Sequence, residues 1–146
     1  MKKQKLDLEL EVIQISMYVG IIQLLLKSHK ELTVTKTIFF SYIIKKQQID
    51  KFKGVYDGRH RRDLILKAIS LIEGDFKGFN KSLTFIIKSI DLLIKNKKVL
   101  LTNEYLSLRE KSSNVTLKES TFIKNAIEES KSKSDIQFWR EVIEVV

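Results

Sequence analysis

Lys98-Val99-Leu100-Leu101, Thr102-Asn103-Glu104 and Tyr105-Leu106-Ser107-Leu108 make up the stretch whose reading decides the fold. Two short β-prone runs flank a polar turn, the pattern of a β-hairpin. Immediately before it, Leu83, Ile86, Ile87, Ile90, Leu93 and Ile94 recur at helical spacing, with Asn80 or Ser82 able to open the helix and Asn96 to cap its end. A helix running straight into a hairpin is therefore the first fixed point.

Working toward the N-terminus, Leu64, Ile65, Ala68, Ile69 and Ile72 predict a further helix, capped by Asp63 and ended by Gly74. Residues 47–62 read as a basic loop with Gly54 and Gly58 as its pivots. Ile38, Phe39, Tyr42 and Ile43 mark the helix before that loop, with Thr33 or Thr35 as its cap and Lys45 and Lys46 in its last turn. Ile13, Met17, Ile21, Leu24 and Leu25 predict a first helix over residues 16–28. Leu6, Leu8, Leu10 and Val12 alternate with Asp7, Glu9 and Glu11, which predicts a short strand at the start. The class is thus mainly α with a small β-hairpin. Helices closed by a hairpin are the element order of a winged-helix domain, in which the helix before the wing enters the major groove. A winged-helix-like core over residues 1–111 is expected.

After the polar linker Ser112-Ser113-Asn114, residues 115–146 form a separate C-terminal helical segment. Leu117, Phe122, Ile123, Ala126 and Ile127 mark one helix. Asp135 is expected to cap a last one carrying Ile136, Phe138, Trp139, Val142, Ile143 and Val146. Neighbouring aromatics on a helix point about 100° apart, so Phe138 and Trp139 cannot both face one way. Either both close the core from different angles or one meets a partner. Phe138, Trp139 and Val142 are the candidate partner-binding residues, since terminal amphipathic helices dock readily and Trp anchors interfaces. On this reading, truncation after Ser134 leaves a folded core.

The 146 residues carry a net charge of +9, and its distribution matters more than its total. Residues 45–62 hold seven basic and two acidic residues, and residues 76–98 hold six lysines against Asp91, whereas residues 112–146 hold five basic and six acidic ones. Lys45, Lys46, Lys51, Lys53, Arg59, Arg61, Arg62, Lys95, Lys97 and Lys98 are the candidates for contact with nucleic acid or an acidic surface. The plain alternative is a solvated lysine-rich exterior. Arginine forks suit phosphate better than lysine does, which singles out Arg59, Arg61 and Arg62. The helix before the hairpin exposes Lys81, Lys88 and Lys95 and otherwise offers only serine and threonine, whereas base edges usually need exposed Asn, Gln or Arg. Backbone contact without sequence preference is the expectation.

Catalysis finds no foothold in the sequence. With no cysteine there is no disulfide, thiolate zinc site or cysteine nucleophile. Five glycines and no proline give no glycine-rich phosphate loop, and no HExxH or GxSxG pattern occurs. His29 sits in an expected turn, and His60 lies among arginines that disfavour a dication. Asp50, Asp57 and Asp63 read as loop ion-pair partners. No enzyme, cofactor or metal site is expected. Residues 13–26, the most apolar stretch, fall short of the roughly 20 residues a membrane span needs, and no secretory signal is evident. A cytoplasmic protein without a membrane role is expected.

The order Tyr18-Val19-Gly20-Ile21-Ile22-Gln23-Leu24-Leu25-Leu26, then Leu32-Thr33-Val34-Thr35-Lys36-Thr37-Ile38-Phe39-Phe40-Ser41-Tyr42, then Ser89-Ile90-Asp91-Leu92-Leu93-Ile94-Lys95-Asn96-Lys97-Lys98-Val99 resembles the middle components of bacterial three-component ABC systems, including Lamassu-type antiphage defences. The resemblance spans residues 16–108 and rests on hydrophobic pattern and element order. It implies a non-catalytic subunit that bridges an SMC-like coiled-coil ATPase and an effector, often a nuclease, with non-specific double-stranded DNA alongside. The competing expectation is a stand-alone winged-helix DNA-binding transcriptional regulator. A small antitoxin or phage accessory protein is a third.

Overall fold

The structure is a computed structural model that describes residues 2–49, 74–109 and 121–145. The described elements are α1 (Lys2–His29), β1 (Glu31–Thr33), α2 (Val34–Ile49), α3 (Phe76–Lys95), β2 (Val99–Thr102), β3 (Tyr105–Leu108), α4 (Thr121–Ser130) and α5 (Asp135–Val145). The protein is mainly helical with a small antiparallel sheet of order β1-β3-β2.

The hairpin at residues 99–108 forms as expected. Thr102 pairs with Tyr105, and the two turn residues, Asn103 and Glu104, both take positive φ (49° and 71°). That is the twist of a two-residue type I′ turn, which suits Asn at its first position. The third strand, β1, was not expected. Its Leu32 pairs with Leu106, and both are buried. The backbone N–H of Val34 donates to the Glu104 carbonyl at 3.0 Å, which ties the hairpin turn to the start of α2.

The predicted strand at residues 6–12 is instead the first part of α1, which starts at Lys2 rather than near Ser16. Leu6, Leu8, Leu10 and Val12 are all half exposed, so the alternation never sorts into a buried and a solvated face. Without a pairing strand, the backbone satisfies its own hydrogen bonds as helix, which the Leu, Glu, Lys and Gln content favours. This extension makes Gln4–His29 long and apolar enough to cross a membrane by length and composition, unlike the shorter stretch read from sequence. Its second half is spent in the core, where Tyr18, Ile21, Ile22, Leu25 and Leu26 are buried.

Thr33 caps α2 as expected, its Oγ1 accepting from the Lys36 N–H at 3.3 Å. Burial extends around α2 beyond the expected stripe, to Phe40, Ser41 and Ile44. α3 opens at Phe76, earlier than Asn80, and its core side holds Phe79, Ile86, Ser89, Ile90 and Leu93, while Ile87 is half exposed. Its end is a Schellman motif. Lys97 N–H donates to Ile94 O and Lys98 N–H to Leu93 O, both at 3.0 Å, with Lys97 in the left-handed region beyond the Asn96 cap. The helix predicted from Asp63 lies outside the described residues; Gly74, expected to end it, has φ +75°, a conformation suited to glycine.

One core runs through all the described helices. Phe122, Ile123, Ala126, Ile127, Phe138 and Val142 of α4 and α5 join the cluster built by α1, α2, α3 and the sheet. Ser134, not Asp135, caps α5. Its Oγ accepts from the Gln137 N–H while the Gln137 Oε1 accepts from the Ser134 N–H, each at 3.3 Å, which is a reciprocal capping box.

Candidate nucleic-acid and partner interface

Helical geometry places the lysines of α3. At about 100° per residue, Lys77, Lys81, Lys88 and Lys95 fall within an arc of roughly 40°, opposite the core residues Ile86 and Leu93. All four are exposed. At about 1.5 Å per residue this lysine face is some 27 Å long. Exposed Lys97 and Lys98 continue it to the root of the hairpin. Two members are tethered. Lys88 binds Glu11 of α1, and Lys95 pairs with Asp91 one turn earlier at 2.8 Å, which raises the Lys95 pKa. Both pairs are largely solvated and worth little, so neither locks its lysine.

The end of α2 departs from expectation. Lys45 is 8% exposed and stands over the Tyr18 ring, 4.9 Å from its centroid, and burial lowers its pKa. Lys46 is paired with Asp75 at 2.8 Å. The same carboxylate accepts the Tyr42 hydroxyl, and these two donors, Lys46 first, hold Asp75 below its ordinary pKa. Gly78 permits the arrangement, since a Cβ there would lie 2.5 Å from Asp75 Oδ1. Neither Lys45 nor Lys46 is the free surface cation read from the sequence, because α1 and α3 close over them. Lys51, Lys53, Arg59, Arg61 and Arg62 lie outside the described residues.

The three partner-binding candidates divide. Phe138 is fully buried, edge-on to Phe39 at 5.0 Å and tilted against Phe40 at 5.7 Å, and Val142 is 1% exposed. Both belong to the core and are corrected out of any docking surface, since α5 lies against α2. Trp139, at 36% exposure, looks outward, its ring tilted against that of Phe79 with centroids 6.2 Å apart. Ile136 and Ile143 lie on that outer face, 68% and 60% exposed. Their spacing from Trp139, three and four residues, makes one apolar stripe.

Polar contacts that seat the C-terminal helices were missed in the sequence. Lys36, 6% exposed, donates from Nζ to the carbonyls of Ser130 and Lys133, each at 2.7 Å, satisfying the end of α4. Burial lowers its pKa, and nearby Asp135 partly offsets that. Thr33 Oγ1 donates to Asp135 at 2.7 Å. His29, the last residue of α1, lies with Nδ1 3.1 Å from Glu128, an interaction that lowers the Glu128 pKa. A lysine or histidine scores as surface in any sequence pattern, so only the pairing of Lys36 and His29 with a distant helix end could have revealed them. Among the described residues no group of three or more His, Cys, Asp or Glu is placed to hold a metal ion.

Comparison with protein-family models, with curated proteins and with solved structures finds no match to this chain.

Proposed function

We propose that this protein is a non-catalytic bridging subunit of a cytoplasmic complex in antiphage defence, holding an SMC-like coiled-coil ATPase and an effector together while touching the DNA backbone. The observation that carries the reading is the continuous lysine face of α3 leading into an exposed hairpin. The order α1-β1-α2, then α3-β2-β3, with sheet order β1-β3-β2, supports a winged-helix-like arrangement of the core. A face of lysines matches phosphates without reading bases, so DNA is held without sequence preference. The stripe of Ile136, Trp139 and Ile143 lies on a different helix, which leaves protein contact and DNA contact compatible. In this reading, DNA loaded by the ATPase runs along α3, and motion of the ATPase releases the effector held at α5.

Co-purification with the products of neighbouring genes tests the reading. The wild-type chain is expected to bring down a long coiled-coil ATPase, and the Ile136→Asp/Trp139→Ala/Ile143→Asp variant, folded by circular dichroism, is expected to lose it. A chain that purifies alone as a symmetric dimer on one preferred duplex sequence would instead identify a stand-alone regulator.

A further inference from the structure

We infer that the cavity between α1, α2 and α3 is a binding site for a small organic anion with an apolar body. It has a volume of about 410 Å³, open to solvent on one side, and its walls include Tyr18, Tyr42, Lys45, Lys81, Ser82 and Phe85. A cavity of this size suits a small molecule, for which roughly 300–1,000 Å³ is usual. Two polar groups in it are left without what they need. Lys45, 8% exposed as a residue, sets its ammonium over the face of the Tyr18 ring with no acid paired to it among the described residues. The hydroxyl of Tyr18, fully buried, has no hydrogen-bond partner. Ser82 lines the cavity from α3 close to it, and its hydroxyl partly offsets the burial that raises the Tyr18 pKa.

Each deficit is costly alone. A buried hydroxyl without an acceptor loses the water it gives up, and an ammonium held in partial burial without a counter-charge loses part of its own. An anionic oxygen in the cavity meets both at once, accepting from the Tyr18 hydroxyl and pairing with Lys45. The charge balance points the same way. Asp75 is already committed to Lys46 and Tyr42, which leaves the positive charges of Lys45 and of Lys81 uncompensated at this cavity. The ligand therefore carries one or two negative charges. Leu10 and Phe85 supply an apolar wall for the rest of it. A neutral ligand leaves Lys45 unpaired, and a cation is repelled. The site shares Lys81 with the outward lysine face but is centred on Lys45 and Tyr18, and it does not depend on DNA binding.

The full-length chain is tested by calorimetry and by amide chemical shifts with two probes of one shape, 1-naphthyl phosphate and neutral 1-naphthol. One phosphate per chain is expected, at least about tenfold tighter than the naphthol, a difference of ~1.4 kcal/mol. Lys45→Met is expected to erase that preference while leaving naphthol binding unchanged, and Tyr18→Phe to reduce it severalfold. Should Lys45→Met not fold, Lys81→Gln at the solvated rim carries the same test with a severalfold loss. Shifts are expected at Tyr18, Ser82 and Phe85. Equal affinity for the two probes, no binding of either at about 1 mM, or shifts remote from those residues would overturn the inference.

Discussion

Replacing Phe138 by Ala tests whether the C-terminal helices belong to the core. The ring is fully buried and contacts Phe39 and Phe40, themselves wholly inaccessible, so water cannot fill the space it leaves. Removing such a ring typically costs about 3–5 kcal/mol in lost transfer energy and residual cavity. Part of that is the edge-on contact, worth ~0.5–1.5 kcal/mol in aromatic pairs. Against a total stability of about 5–15 kcal/mol, the variant sits near the limit of folding. Urea unfolding followed by circular dichroism is the assay, with an unchanged slope as evidence of the same transition. Trp139→Ala, one residue along and facing outward, is expected to cost only about 1 kcal/mol, as surface changes do. The reasoning fails if Phe138→Ala lies within about 1 kcal/mol of the wild type. For the same reason, truncation after Ser134 is expected to unfold the core, the reverse of the sequence expectation.

Lys36→Met leaves the carbonyls of Ser130 and Lys133 without their donor, and thermal melts are expected to register about 1–3 kcal/mol of lost stability. Asp75 has a folded pKa below its unfolded value of about 4, so its stabilisation is present above that value and is lost as pH falls through the folded one. The carboxylate is 35% exposed and partly screened, so Asp75→Asn is expected to flatten the acid limb of a stability-against-pH curve by less than about 1 kcal/mol. Gly78→Ala brings a Cβ onto the Asp75 carboxylate and is expected to lower the melting temperature, an effect expected to be smaller in the Asp75→Asn background, where the side chain has lost its charged tie to Lys46 and can turn away.

Where sequence and structure agree, the signal was local. The Asn103-Glu104 turn, the Asn96 cap and the Thr33 cap each depend on a few adjacent residues, and short-range chemistry decides them. Where they part, distant packing decides. The alternation from Leu6 to Val12 reads as a strand only if some sheet offers it an edge, and none does among the described residues. Lys45 and Lys36 carry the charge of surface residues, yet Tyr18 and the end of α4 draw them inward. Adjacent aromatics had to diverge, but which of Phe138 and Trp139 turns inward depends on where α2 lies. The lysine face of α3 was half legible. Lys81, Lys88 and Lys95 were read from the sequence, while Lys77 joined them only when the helix proved to begin at Phe76.

The central claim, a lysine face that holds DNA by its phosphates, is tested most directly by the salt dependence of binding. Fluorescence anisotropy on two unrelated duplexes compares the wild type with the Lys77→Gln/Lys81→Gln/Lys95→Gln variant across a range of salt. Each phosphate contact contributes about 0.9 to the slope of log affinity against log salt. The account predicts equal affinity for both duplexes and a slope shallower by roughly 2–3 in the variant. An unchanged slope, or strong preference for one duplex, would contradict it.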